Sequence, residues 1–125
     1  MPVSYSIDPA QGLVLNIGTG VLTDADMRET QQRMIADADF RSTYSQLFDL
    51  TDVTDVRLTS PYLREMADAT AFAPGSRRAL VVTQTLLYGL SRMFQAFLGD
   101  HGEAFRIFGS RADAEAWLDL RRPVP

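Results

Sequence analysis

Asp49, Asp52 and Asp55 recur at every third position through a stretch that also carries Thr51, Thr54 and Arg57. Carboxylates and hydroxyls gathered in this way are what a divalent-cation loop or a phosphoryl acceptor uses. The calcium loop, however, needs oxygen ligands at alternate positions, a central glycine and a closing glutamate, and this stretch has none of that spacing. Turns in which an Asp side chain accepts from nearby backbone N–H groups, with Asp49 at a strand end, account for the aspartates better. Gly18-Thr19-Gly20 lies between an apolar run and a helix start, as a phosphate-binding loop would. Thr23 stands where the third glycine of G-x-G-x-x-G belongs, so a turn with a permissive backbone is expected instead.

His101, flanked by Asp100 and Glu103, lacks the second imidazole or thiolate of a usual metal set and reads as a solvated loop residue. Ser91 sits beside Arg92 on a helical pattern, with no G-x-S-x-G elbow and no base nearby in sequence. The chain contains no cysteine and no lysine. That removes thiol nucleophiles, disulfides, thiolate-bound metals, Schiff bases and the phosphate-loop lysine. No catalytic, cofactor-binding or metal-ligating residue is assigned.

These residues must be positioned by one domain, since 125 residues with 46% hydrophobic side chains suffice for a single core. A formal charge of −4 without a basic stripe argues against nucleic acid as a partner. Met1-Pro2-Val3 runs directly into a strand pattern without a basic or apolar leader, and no apolar run reaches membrane length. The expectation is a soluble cytoplasmic protein with no integral membrane association.

Period-two alternation at Val3, Tyr5 and Ile7, turn residues from Asp8 to Gly12, and alternation again at Leu13, Leu15 and Ile17 predict an antiparallel hairpin. Thr23 with Asp24 and Asp26 opens a first helix whose buried stripe would be Met27, Met34, Ile35 and Ala38. A strand from Gln46 to Leu50 precedes a second helix, with Ser60 as N-cap, Pro61 at its first position, and Pro74-Gly75 at its end. Ala79-Leu80-Val81-Val82 is a continuous apolar run, which predicts the central strand, covered on both faces.

A third helix over Leu86 to Leu98 carries Leu86, Leu87, Leu90, Met93, Phe94, Phe97 and Leu98 on an arc of about 140°, wider than a core stripe of about 100°. A deeply docked core helix is the first reading. The excess arc leaves room for an apolar cavity under Leu90, Phe94 and Phe97, or for a subunit contact. Phe105 to Phe108 is the last strand, and Ser110 with Asp113 caps a last helix that packs through Trp117 and Leu118. Residues 121–125 are expected to be a flexible tail.

The segments GLVLNIGTGVLTDADM, LFDLTDVTDV, RRALVV and FRIFGSRADAEAWL together resemble the bacterial SpoIIAA-like family, related to STAS domains, the anti-sigma-factor-antagonist fold. The resemblance spans about Val3 to Leu118 and rests on organisation, with Ala116-Trp117-Leu118 its most distinctive part. The periodicities give the order β-β-α-β-α-β-α-β-α, and strands separated by single helices predict a mixed, mostly parallel five-stranded sheet. The resemblance implies a single α/β domain over residues 1–120 with helices largely on one face. It implies no established catalytic activity. Regulatory members carry Asp-Ser-Ser-Gly at the opening of the second helix. Aligned without a gap on Asp49 and Val53, that motif falls on Arg57-Leu58-Thr59-Ser60, and the acceptor serine becomes Leu58. A phosphorylation switch is not expected.

Fold analogy places any ligand or partner surface at the carboxyl ends of the parallel strands: Asp49, Thr51, Thr54 and Arg57, then Thr83, Gln84 and Thr85, with Tyr88 and Arg92 beyond. Two functions stay open. One is a non-catalytic regulatory or protein-interaction module that binds a protein partner or a second copy of itself. The other is a carrier or sensor of a small apolar or amphipathic ligand under the third helix.

Overall fold

The hairpin expected from the first alternations forms between β1 (Val3–Asp8) and β2 (Leu13–Thr23), paired antiparallel from Val3↔Gly18 to Asp8↔Leu13. The computed structural model describes residues 2–120, and the tail expected at 121–125 lies outside them. After β2 come α1 (Asp24–Ala36), β3 (Ser45–Arg57), α2 (Ser60–Asp68), β4 (Arg78–Val81), α3 (Thr85–Leu98), a 3₁₀ segment (Gly99–Ala104) that contains His101, β5 (Phe105–Phe108) and α4 (Arg111–Leu118). The sheet has five strands in the order β1-β2-β3-β4-β5, and β2 to β5 pair in parallel. Each parallel step crosses over through a helix, as parallel pairing requires. Interior β4 has Leu80 under one helical layer, while Ala79 and Val81 lie under the other. The middle position expected for it belongs to β3.

Strand alternation divides the core into two layers. Leu13, Leu15, Leu47, Ala79 and Val81 pack under α4 through Ala114 and Leu118. Leu22, Leu50 and Leu80 face α2 and α3 through Leu63, Leu87 and Phe94, while Val14 meets Met34 of α1 and Phe72. Each fully buried Leu or Phe contributes about 1.5–3 kcal/mol relative to exposure. In α1 the buried residues are Thr30 and Met34, whereas Ile35 is exposed and Ala38 lies beyond the helix end. The helix stops at Ala36, so Ala38 no longer shares the face that Met34 presents to the sheet.

The aspartate-rich stretch is the largest departure from the expected elements. It is strand: β3 continues past Leu50 to Arg57, paired with β2 out to Thr23↔Arg57, well beyond the last β3–β4 pair at Asp49↔Val81. Val53 and Val56 drive the extension, because both join the core cluster that contains Leu22. Gly18-Thr19-Gly20 is accordingly within β2, at its register shifts. Gly20 has φ of +64°, and a Cβ on Gly18 would lie 2.6 Å from Leu50 Cδ2. The glycines accommodate a bulge and a close strand contact.

The N-cap of α2 is Thr59, whose Oγ1 accepts from Tyr62 N at 3.3 Å and donates to Asp24 Oδ2 at 2.6 Å. Ser60 is thereby the first helical residue. The helix ends at Asp68, ahead of Pro74-Gly75, and the chain then turns inward so that Phe72 packs edge-on against Phe40 at 5.5 Å. Tyr62 is buried beneath Arg28, whose guanidinium lies 4.8 Å from its ring centre. Burial pushes the Tyr62 phenol up from 10.0 to about 12. The unfolded chain therefore loses this proton first as pH rises, and stability falls between those two values, by at most roughly 2.7 kcal/mol for a two-unit shift. In urea titrations, Tyr62→Phe is expected to lose less stability than the wild type between about pH 9 and about pH 11.5.

Candidate functional site

On neighbouring strands, the face turned toward α1, α2 and α3 carries Asn16 of β2, Gln46 of β3 and Arg78 of β4 at positions whose period is otherwise apolar: Val14, Phe48, Leu50 and Leu80. Gln46 and Arg78 are register partners, and Arg78 is in turn opposite Phe105 of β5. Their side chains form a chain of contacts. Arg78 Nε donates to Gln46 Oε1 at 3.0 Å, and Gln46 Nε2 donates to Asn16 Oδ1 at 2.7 Å. Arg78 Nη1 donates to Thr70 Oγ1 at 3.1 Å. Thr70 is in reach because α2 ends early and the chain folds back over the sheet.

Above this polar row lies a cavity of about 80 Å³. Its apolar wall includes Leu50, Leu58, Leu63, Met66, Leu87 and Leu90, with the Phe94 ring at one side. A single water needs roughly 10–15 Å³ on this measure, so the space admits several waters or a short apolar chain. Polar groups on the wall are amides, hydroxyls and the Arg78 guanidinium, with no carboxylate, imidazole or thiol among them. No general base is therefore at hand for acid–base or nucleophilic chemistry inside it.

Arg78 is enclosed by three aromatic rings, at 4.7 Å from Phe72, 5.7 Å from Phe94 and 5.8 Å from Phe105. Burial pulls its guanidinium down from 12.5 to about 10. It still carries its charge at neutral pH.

The residues expected at the strand ends fall into separate places. Thr83, Gln84, Thr85 and Tyr88 line a shallow open hollow with Val82, Ile107, Phe108 and Gly109. The Gln84 side chain donates to the Val53 carbonyl, which ties the start of α3 to β3. Asp49 lies on the opposite face of the sheet, where its Oδ1 accepts from Thr51 N at 2.9 Å and its Oδ2 sits 3.6 Å from Arg111 of α4. Arg57 pairs with Asp55 at 3.1 Å on the exposed end of β3, and Thr54 is exposed on the same extension. Arg92 reaches Tyr88 Oη at 3.3 Å along the outside of α3. Separation follows from β3 continuing as strand, which carries Thr54 and Arg57 away from the ends of β4 and β5.

Within α3 the buried stripe is Leu87, Ser91, Phe94 and Leu98. Leu90 and Phe94 line the cavity; Phe97 does not, and the Arg64 guanidinium covers its ring at 4.5 Å. Leu86 is 61% and Met93 36% exposed, so the apolar arc extends past the core onto the surface. Arg78, Gln46 and Asn16 escaped the reading of the sequence. The available signal was one polar residue on the buried period of each of three adjacent strands.

No family model and no curated protein matches the chain. Among solved structures, the chain is similar to an uncharacterized protein of the DUF3478 family with a SpoIIAA-like fold from Shewanella loihica PV-4. The two superpose with a TM-score of 0.61 over 93% of each chain, at 19% sequence identity. The fold is therefore SpoIIAA-like α/β, as the strand and helix order implied. No helix among the described residues is long and apolar enough to cross a membrane.

Proposed function

We propose that this protein is a non-catalytic module that binds a small ligand with an apolar body in the cavity between the sheet and α1, α2 and α3, as a carrier or sensor. The observation that carries the reading is the cavity itself, walled by apolar side chains and floored by a short polar row, the usual make-up of a small-molecule site. Protein interiors are packed to near crystal density with few voids larger than a water, so a space of about 80 Å³ stands out. The Leu58 side chain, at the position where the regulatory proteins carry their acceptor serine, is part of this wall.

Ser91 offers a direct test, because its hydroxyl donates only to the Leu87 carbonyl of its own helix, at 2.7 Å, while its side chain borders the cavity. Ser91→Leu would occupy the space. The variant is expected to keep its stability or gain up to about 1 kcal/mol. It is also expected to lose binding of a neutral apolar fluorescent probe that the wild type takes up. Equal uptake by both proteins would contradict the reading.

One flank of α3 favours a second reading, contact with a protein partner or another copy, since Leu86 and Met93, two turns apart, are both exposed there. Native mass spectrometry of freshly purified protein reports subunit number and retained ligand at once and separates the two.

A further inference from the structure

Among the described residues no carboxylate pairs with Arg78. The ion pairs among the described residues are Arg28–Glu65, Arg33–Glu29, Arg57–Asp55 and the Arg111 contacts to Asp49 and Glu115. None reaches Arg78. Its protein partners are the two neutral oxygens of Gln46 and Thr70, taken up by Nε and Nη1, together with the faces of Phe72, Phe94 and Phe105. Among the described residues Nη2 has no acceptor. Thr70 Oγ1 accepts from Arg78 Nη1 and from Phe72 N at 3.4 Å, which leaves its own hydroxyl proton to donate.

Arg78 is half-buried, and no fully buried side-chain nitrogen or oxygen among the described residues lacks a partner, so Nη2 opens onto accessible space. A partly desolvated cation there is favoured by a partner of opposite sign. Here the cation borders an apolar cavity, which defines what the partner must be. We infer that the ligand is a short amphiphile with a carboxylate head held by Arg78 Nη2 and the Thr70 hydroxyl, and an apolar tail lying along Leu63, Leu87 and Leu90. The inference rests on the small-ligand reading above. An N–H of Nη2 gives a carboxylate a charge-assisted hydrogen bond, and the Thr70 hydroxyl can donate a second one beside it. A single cation neutralises a monocarboxylate and leaves a phosphate dianion half uncompensated, so the monocarboxylate is the fitting head. The other polar groups of the row are already engaged, Gln46 with Arg78 and Asn16, and hold the guanidinium in place.

The test is calorimetric titration of the full chain with hexanoate, 1-hexanol and hexylamine, which share a tail and differ in head group. Hexanoate is expected to bind at least about tenfold more tightly than 1-hexanol, with no binding of hexylamine, because a charge-assisted hydrogen bond is worth more than a neutral one. Arg78→Met is expected to cost hexanoate at least about tenfold and to leave 1-hexanol unchanged or improved. Ser91→Leu is expected to abolish both. Equal affinity of the wild type for hexanoate and 1-hexanol would overturn the head-group assignment and leave the cavity reading standing. Binding of none of the three would overturn both. Hexanoate binding that survives Ser91→Leu would place the acid elsewhere and overturn the assignment too. Should Arg78→Met fail to fold, the head-group comparison on the wild type decides alone.

Discussion

Phe94→Ala is expected to lower the unfolding free energy by about 3–5 kcal/mol, the range for removing a buried aromatic ring. Phe94 is 6% exposed and central to the buried stripe of α3. It packs edge-on against Phe105 of β5 at 5.4 Å, and is one of the three rings around Arg78. Truncation would enlarge a space that already exists. The neighbouring walls are held by the sheet and by α2, so collapse around the missing ring would be incomplete and the upper half of the range applies. Since domains of this kind are stable by only about 5–15 kcal/mol, the variant would be near its folding limit at room temperature. Urea unfolding followed by circular dichroism measures the loss. A change below about 1 kcal/mol would mean that α3 does not dock on the sheet as described.

Gly18→Val is expected to cost about 1–3 kcal/mol, the usual penalty for overpacking a core. The first carbon added at Gly18 would lie 2.6 Å from Leu50 Cδ2 and 3.2 Å from Val53 Cγ2. Leu50 and Val53 are 4% and 1% exposed, so neither can swing into solvent to make way. Valine favours strands by propensity, which makes the sign of this prediction diagnostic. Were Gly18-Thr19-Gly20 a surface turn, the same substitution would be nearly neutral, because nothing would press on its side chain. Thermal unfolding of Gly18→Val beside the wild type distinguishes a glycine at a strand contact from one in a loop.

Apolar periodicity made most of the architecture legible. The alternation at Leu13, Leu15 and Ile17 and the run at Ala79 to Val82 specified strands, and Ser110 caps α4 as its spacing with Asp113 indicated, with Asp113 N 3.2 Å from Ser110 Oγ. The β3 extension was obscured because Thr and Asp surround Val53 and Val56, and the pairing that makes it a strand comes from distant β2. Helix ends were obscured for a related reason. Packing of Phe72 into the core, a tertiary event, draws the chain out of helix before Pro74 is reached.

The candidate site was legible in half. The width of the α3 arc suggested a cavity under Leu90, Phe94 and Phe97; Leu90 and Phe94 border the space, Phe97 does not, and the part of the arc beyond the core, Leu86 and Met93, is exposed. Its polar floor is assembled across β2, β3 and β4, and the register that sets Gln46 beside Arg78 is not written in either strand alone. The pair Arg77-Arg78 before an apolar run reads as a strand end with its charges in water. Only the return of Thr70 and Phe72 over the sheet encloses Arg78.

The cavity above Arg78 is proposed as a site for a carboxylate-headed amphiphile. A crystal structure of the protein grown with saturating hexanoate tests it most directly. The carboxylate is expected at hydrogen-bond distance from Arg78 Nη2 and the Thr70 hydroxyl, with the tail between Leu63, Leu87 and Leu90. A cavity filled by the protein's own side chains, with hexanoate absent or bound at another surface, would contradict it.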